Sequence, residues 1–305
     1  MRTVLHQRRR FWASWKRVLA LVCVLTGGCA GSLVSDPAKA ALLRHLHETY
    51  LFDVEVADLA RLSVPEIVGH LDADTHLVAR QRPSHDAMRG FEPEGSVVAV
   101  RELGGGRGYL HLTFFGRRTL ADVRKVLNSF TPPLCALTID LRDNTGGSFE
   151  AALDLAALFL PSGVPLAMYE DRAGRALLYA TQEAPPRQER LTIVINAGTV
   201  SSAELFAGVL QWHRRAVLSG APTAGKRTVQ RVVQLDHHHL LFLTTGRFLA
   251  PDGSLFGAHG LTPDHPATED NTHSVLTPCA GEPPPSSRSE RAGPATSPGA
   301  THAWQ

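Results

Sequence analysis

Two short segments, Gly198-Thr199-Val200-Ser201-Ser202-Ala203-Glu204 and Thr223-Ala224-Gly225-Lys226-Arg227-Thr228-Val229-Gln230, carry a hydroxyl, an amine and an amide that could act together. A serine hydroxyl is a weak nucleophile at neutral pH and gains strength when a neighbouring base takes its proton. Lysine can be that base only as the neutral amine, a form that apolar surroundings favour. The chemistry on offer is attack of Ser201 on a carbonyl, with Lys226 as general base and Gln230 holding the amine. Each residue taken alone also has a plainer reading, Ser201 or Ser202 as a helix N-cap and Lys226 as a solvated loop residue.

The elements that must position these groups can be read from pattern. Leu191 to Ile195 is an apolar strand run, Asn196 to Val200 is turn-prone, and Leu205, Phe206, Val209 and Leu210 recur at helical offsets, so Ser201 falls at a strand-to-helix junction. A helix start has unpaired N–H groups and partial positive charge, which suit a developing oxyanion. Lys226 follows a turn and precedes an apolar strand, and Gln230, two strand steps further on, returns to the same face. A third segment, Thr138 through Gly147, runs from an apolar strand into a polar turn ending in paired glycines. An amide of Gly146 or Gly147, with that of Ser202, would supply the two donors acyl transfer needs; otherwise this is an ordinary turn.

Residues 37–90 read as a helical lead-in, with Leu42, Leu43 and Leu46 at helical spacing and Ser63, Pro65 and Glu66 at cap, early-turn and box positions. From Gly95 onward, strands are expected at Ser96–Val100, Gly108–Phe114, Ala136–Leu141, Leu191–Asn196 and Ala216–Ser219. They alternate with helices at Leu120–Phe130, Phe149–Leu160 and Ser202–His213. Strands Val229–Leu235 and Leu240–Thr245 follow, and Pro251-Asp252-Gly253-Ser254 marks a turn. Such alternation predicts an α/β layer fold.

The first 31 residues have a basic opening, an apolar run from Val18 to Leu25 and then small residues, the pattern of an export signal. The run is shorter than the roughly 20 residues that span a bilayer. Leu25-Thr26-Gly27-Gly28-Cys29 resembles a lipoprotein cleavage box, which would attach the chain to a membrane through lipidated Cys29. The mature chain is expected outside the cytoplasm. Residues 268–305, rich in Pro, Ser and Gly, read as a disordered tail. If Cys23 and Cys29 leave with the signal or are lipidated, Cys135 and Cys279 remain for a disulfide, but Cys135, just before an apolar run, is expected as a buried free thiol. The net charge of +2, with acids and bases interspersed, offers no electrostatic case for nucleic acid.

The segments around Ser201 and Lys226 resemble those of the carboxy-terminal processing, or tail-specific, serine peptidases, whose nucleophile lies in Gly-Thr-Ala-Ser-Ala-Ser-Glu. Lys226 follows Ser201 by 25 residues and Gln230 follows Lys226 by four, as in that family. The similarity runs from Gly108-Tyr109-Leu110-His111-Leu112 through Asp140-Leu141-Arg142 to Gly260-Leu261-Thr262-Pro263-Asp264. It implies an α/β (α+β) fold with a Clp-protease/crotonase-like core of layered sheet and helix over residues 95–267. It further implies an exported, periplasmic or membrane-anchored bacterial endopeptidase working through an acyl-enzyme on protein or peptide substrates, unfolded ones among them. No metal or organic cofactor is implied. Ser201 is then the nucleophile, Lys226 the base and Gln230 the residue orienting the lysine; Gly146 and Ser202 give the oxyanion donors, and Gly147 and Glu204 are structural.

Three departures stand out. Val200-Ser201-Ser202-Ala203 leaves two adjacent hydroxyls, so Ser202 competes for the nucleophile's role. Arg227 stands where glycine is common. Leu71-Asp72-Ala73-Asp74-Thr75 resembles the end of the family's lead-in, and residues 76–107 are too few for the PDZ domain that follows it there, which would leave an adaptor to supply that function.

Other readings meet specific obstacles. Gly220 to Lys226 approaches a phosphate-binding loop, but Arg227 replaces the Ser or Thr that would hold magnesium, and a strand follows where a helix is required. His237-His238-His239 point to alternating faces and read as a solvated hairpin loop, not metal ligands. His45, His47 and Glu48 lack zinc-peptidase spacing. A non-catalytic binding protein on the same fold is the remaining alternative. Retention of Ser201, Lys226 and Gln230 together weighs against it.

Overall fold

The computed structural model describes residues 36–79, 96–182, 185–257, 259–267 and Cys279. The expected export signal with Cys29, and the expected tail apart from Cys279, lie outside the described residues. The chain forms two compact units. The described residues of the first fall in 36–48, 54–79 and 232–242, and the rest belong to the second.

In the first unit, α1 (Asp36–Glu48) buries Ala38, Leu42 and Leu46, four residues apart on one face. After the short α2 (Val56–Leu59), α3 (Val64–His70) begins at the expected capping box, where Ser63 N–H and Oγ donate to Glu66 Oε2 at 2.8 and 2.6 Å. A strand, β1 (His76–Ala79), then pairs antiparallel with 239–242. The expectation of a solvated loop is corrected at His239, which is 6% exposed and starts that partner strand. The cause is Asp236. Its Oδ1 accepts the N–H groups of His238 and His239 at 2.7 and 2.8 Å, and His239 Nδ1 lies 2.9 Å from both its oxygens.

The second unit follows the order β2 (Val97–Gly104), β3 (Arg107–Leu112), α4 (Thr119–Ser129), β4 (Ala136–Asp140), α5 (Phe149–Ala157), β5 (Pro165–Asp171), β6 (Ala176–Ala180) and β7 (Arg190–Ile195). It continues with α6 (Ser202–Trp212), β8 (Ala216–Gly220), β9 (Thr228–Gln234), β10 (His239–Leu249) and β11 (His265–Pro266), the start of β10 and the end of β9 lying in the first unit. One sheet has the order β11-β8-β7-β4-β3-β2, parallel throughout except for β2 against β3. β4 is buried at every position and β7 at all but Arg190, as parallel strands covered on both faces require.

α6 is buried from Ser202 to Leu210, so it is a core helix and not an amphipathic cover. Phe206 on α6 is fully buried with its ring 5.5 Å from that of Phe115, burial worth about 1.5–3 kcal/mol. Two strands escape the periodicity argument. β5 opens on Pro165 and ends in Glu170 and Asp171, and β6 exposes Leu177 and Leu178, so neither alternates cleanly. They form because β5 pairs with 246–249 of β10, where the Tyr169 ring covers Gly246, and because Asp171 accepts the Ala173 and Arg175 amides at 2.9 and 3.0 Å in the turn between them. Cys135 also departs from expectation. It is disulfide-bonded to Cys279, 144 residues away, a pairing no local reading of its apolar neighbourhood reveals.

Candidate active site

β7 delivers the chain to a tight corner before α6. Asn196 and Thr199 exchange bonds across it: Asn196 N–H donates to Thr199 Oγ1 at 3.1 Å, and Thr199 N–H to Asn196 O at 2.9 Å. The Thr199 hydroxyl donates to Leu141 O at 2.8 Å and Val200 N–H to Asn144 O at 2.9 Å, which ties the corner to the end of β4. Ser201 then adopts φ 57° and ψ −120°, a conformation costly for a residue with a Cβ. The expected junction is thus a strained elbow with Ser201 at its apex, half-buried.

The neighbouring hydroxyl has a different fate. Ser202 is 4% exposed, and its Oγ donates to Gly147 O at 3.0 Å. Its N–H is the first of α6, the position whose amide a helix leaves for other acceptors.

Glu204 is the charged residue within the buried run of α6, at 3% exposure. Its Oε2 accepts Ser201 N–H at 2.9 Å and Lys226 N–H at 2.9 Å. Its Oε1 accepts Gly225 N–H and the Thr223 hydroxyl, each at 2.6 Å. Burial pushes this carboxyl above its ordinary value, and the four donors offset that only in part. The corner that carries Ser201 and the loop that carries Lys226 therefore meet on one carboxylate.

Lys226 itself is half-buried. Its loop is seated by Gly225 at φ 84°, where a Cβ would lie 3.0 Å from Gly260 N, and by Thr223, whose N–H donates to Leu261 O while its hydroxyl accepts Leu261 N–H at 2.7 Å. Ala224 N–H donates to Thr199 O at 3.2 Å. The Arg227 guanidinium bonds Gly257 O. Gln230, on β9, donates through Nε2 to the hydroxyls of Thr228 and Thr244 at 3.0 and 3.4 Å.

The third segment comes up against this elbow. Gly146, at φ 100°, is so close to the elbow that a Cβ would lie 2.9 Å from Val200 O and 3.0 Å from both Ser201 Cβ and Ser202 N. Its N–H donates to Asn144 Oδ1 at 2.9 Å. Gly147 packs on Phe115, whose N–H donates to Gly146 O and whose O accepts Ser148 N–H. Asn144 is wholly buried and also donates through Nδ2 to Leu112 O at 2.8 Å. At the base of this loop, buried Asp140 is held by Arg142, whose NH2 lies 2.6 Å away, and by the Tyr109 hydroxyl at 2.7 Å. Burial raises the Asp140 carboxyl, but the bonds from Arg142 and Tyr109 outweigh it and leave a net lowering. Burial and the same carboxylate push the Tyr109 phenol up to about 12.

Sequence reasoning missed Asn144, Thr199 and Thr223, which bind the three segments together. A signal existed for Asn144, since an Asn two residues before a glycine is an Asx-turn pattern. None existed for the threonines, whose acceptors lie on other elements.

Residues 106–267, just over half of the chain, match Peptidase family S41. The carboxyl-terminal-processing peptidase 2, chloroplastic, of Arabidopsis thaliana is 35% identical over 162 residues, covering 52% of this chain and 31% of that protein. A carboxy-terminal-processing protease of Bartonella bacilliformis is 30% identical over 175 residues, covering 55% and 40% respectively. The chain thus spans well under half the length of these relatives. A lipoprotein structure from Streptococcus agalactiae shares the fold at TM-score 0.58 and 16% identity, over 82% of this chain and 99% of that one. The family match spans β3 to β11 and takes in the Gly146, Ser201 and Lys226 segments, and the chain belongs to peptidase family S41.

Proposed function

We propose that this chain is an exported serine endopeptidase that hydrolyses protein or peptide substrates by a Ser201–Lys226 dyad. The observation that carries the reading is the strained elbow at Ser201, whose N–H shares a Glu204 oxygen with the N–H of Lys226. Ser201 and not Ser202 is the nucleophile, because the Ser202 hydroxyl is buried and spent on Gly147 O. The disulfide supports an oxidising compartment outside the cytoplasm.

In the reaction, Ser201 Oγ bonds to the carbonyl carbon while neutral Lys226 Nζ takes the hydroxyl proton. The Ser202 N–H receives the oxyanion, joined by Gly146 N–H once the oxyanion displaces Asn144 Oδ1 as its acceptor. The intermediate collapses with cleavage of the C–N bond, and the leaving amine takes the proton from Lys226. Water, deprotonated by the Lys226 amine, then attacks the ester carbon; the acyl C–O bond to Ser201 breaks, the carboxylic product leaves, and Ser201 Oγ regains its proton from Lys226. Gln230, anchored through Nε2 on two threonines, offers its carbonyl to the lysine ammonium. Lipidation at Cys29 and an adaptor in place of a PDZ domain belong to the same reading.

The test is casein hydrolysis by the mature chain beside its Ser201→Ala, Ser202→Ala and Lys226→Ala variants. Activity is expected to vanish in the first and third and to survive in the second. Retention in Ser201→Ala would end the assignment.

A further inference from the structure

A serine–lysine pair does not itself explain why a carboxylate lies buried beside it. An ion as deep as Glu204 costs several kcal/mol unless its lone pairs are met. They are met by four donors from two segments: Ser201 N–H from its own helix start, and Thr223 Oγ, Gly225 N–H and Lys226 N–H from a loop 19 to 22 residues further along.

We propose that Glu204 is a positioning residue whose carboxylate spans the nucleophile's corner and the lysine's loop and sets the distance between Ser201 and Lys226. The proposal rests on the serine–lysine reading of the site. Four converging donors demand a group that only accepts, and the ionised carboxylate is the side chain that does so. Glutamine has the same shape but turns an NH2 toward two donors. Aspartate keeps the charge but is one methylene shorter, so with its Cα held in the buried run of α6 it cannot reach both segments. The Ala224 N–H to Thr199 O bond, at 3.2 Å, is a second tether between the two segments, but it joins residues two positions before Lys226 and two before Ser201 and leaves those two backbones to the carboxylate. Thr223 extends the network, since the hydroxyl that donates to Glu204 accepts Leu261 N–H and so couples the Gly260-Leu261 segment to the pair.

The experiment uses the full chain as Glu204→Gln, Glu204→Asp and Thr223→Val, with Ser201→Ala as the blank. Casein kinetics give kcat and KM separately, and amide hydrogen exchange reads the Ser201, Gly225 and Lys226 N–H groups. A displacement of about 1 Å between reacting groups costs on the order of 100-fold. Glu204→Gln and Glu204→Asp should therefore lose about that in kcat with KM little changed, and the three amides should lose protection together while those of Leu205 to Leu210 keep theirs. Should the Glu204 variants fail to fold, Thr223→Val removes one donor and leaves both loop amides in place, and about a tenfold loss in kcat is expected.

Full kcat in Glu204→Gln, full rescue by Glu204→Asp, or deprotection of one segment without the other would overturn the proposal. An inactive wild type would instead count against the serine–lysine reading. The exchange measurement would still decide the bridge, joint deprotection supporting it and separate deprotection sinking it.

Discussion

Replacing Gly146 with alanine tests whether the 144–147 loop abuts Ser201. The backbone there has φ 100°, outside the left-handed well, so any Cβ costs about 1–3 kcal/mol. The added methyl would also lie 2.9 Å from Val200 O and 3.0 Å from Ser201 Cβ and Ser202 N. Those atoms belong to the backbone or are the Cβ fixed to it and cannot swing aside, so overpacking adds about 1–3 kcal/mol. Gly163 is the control. It has φ 74° with nothing within 4 Å of its Cβ position, so Gly163→Ala pays the backbone cost alone, about 1–2 kcal/mol. Urea titration should show Gly146→Ala to be the less stable variant by about 1–3 kcal/mol. The rate of Ser201 labelling by a fluorophosphonate should fall about 100-fold in Gly146→Ala, because the elbow itself must move, and stay near wild type in Gly163→Ala. Equal stability and equal labelling in the two variants would refute the close approach of the loop to Ser201.

Two further outcomes follow from the surrounding contacts. Breaking the Cys135–Cys279 bond by Cys279→Ser should lower stability by up to about 5 kcal/mol, the chain-entropy limit for so long a loop, and a reductant should do the same to the wild type but nothing to the variant. Asp140, whose folded pKa is depressed, contributes stability fully present above its unfolded value near 3.8 and lost as pH falls through the lower folded value. Asp140→Asn should therefore flatten the acid side of the stability curve below pH 3.8 and cost about 1.5–3 kcal/mol at neutral pH; an unchanged acid limb would dissociate the carboxylate from Arg142.

Much of the scaffold was legible because its signals are local. The strand at Ala136 to Asp140, the buried helix after Ser201 and the Ser63–Glu66 box each arise from apolar spacing or a side chain reaching its own backbone neighbours. β5 and β6 were not legible, since a strand carrying Pro165, Glu170 and Asp171 is held by its partners and not by its own propensity. His239 was misread for a similar reason. Its neighbours are polar, and only the fold of Asp236 onto it makes a buried strand start of a histidine run.

The sequence by itself determined which polar groups the site has and how far apart they lie along the chain, because side-chain chemistry and residue spacing need no tertiary information. It also determined that Ser201 follows a strand and opens a helix. Only the tertiary structure decided which atoms were already committed: the Ser202 hydroxyl to Gly147 O, 55 residues away, the Thr199 hydroxyl to Leu141 O, and the Glu204 oxygens to a loop across the site. A hydrogen bond lasting through folding depends on a close approach of a few ångströms and on exclusion of water, and for partners on separate elements both are set by how strands and helices pack, not by the order of residues.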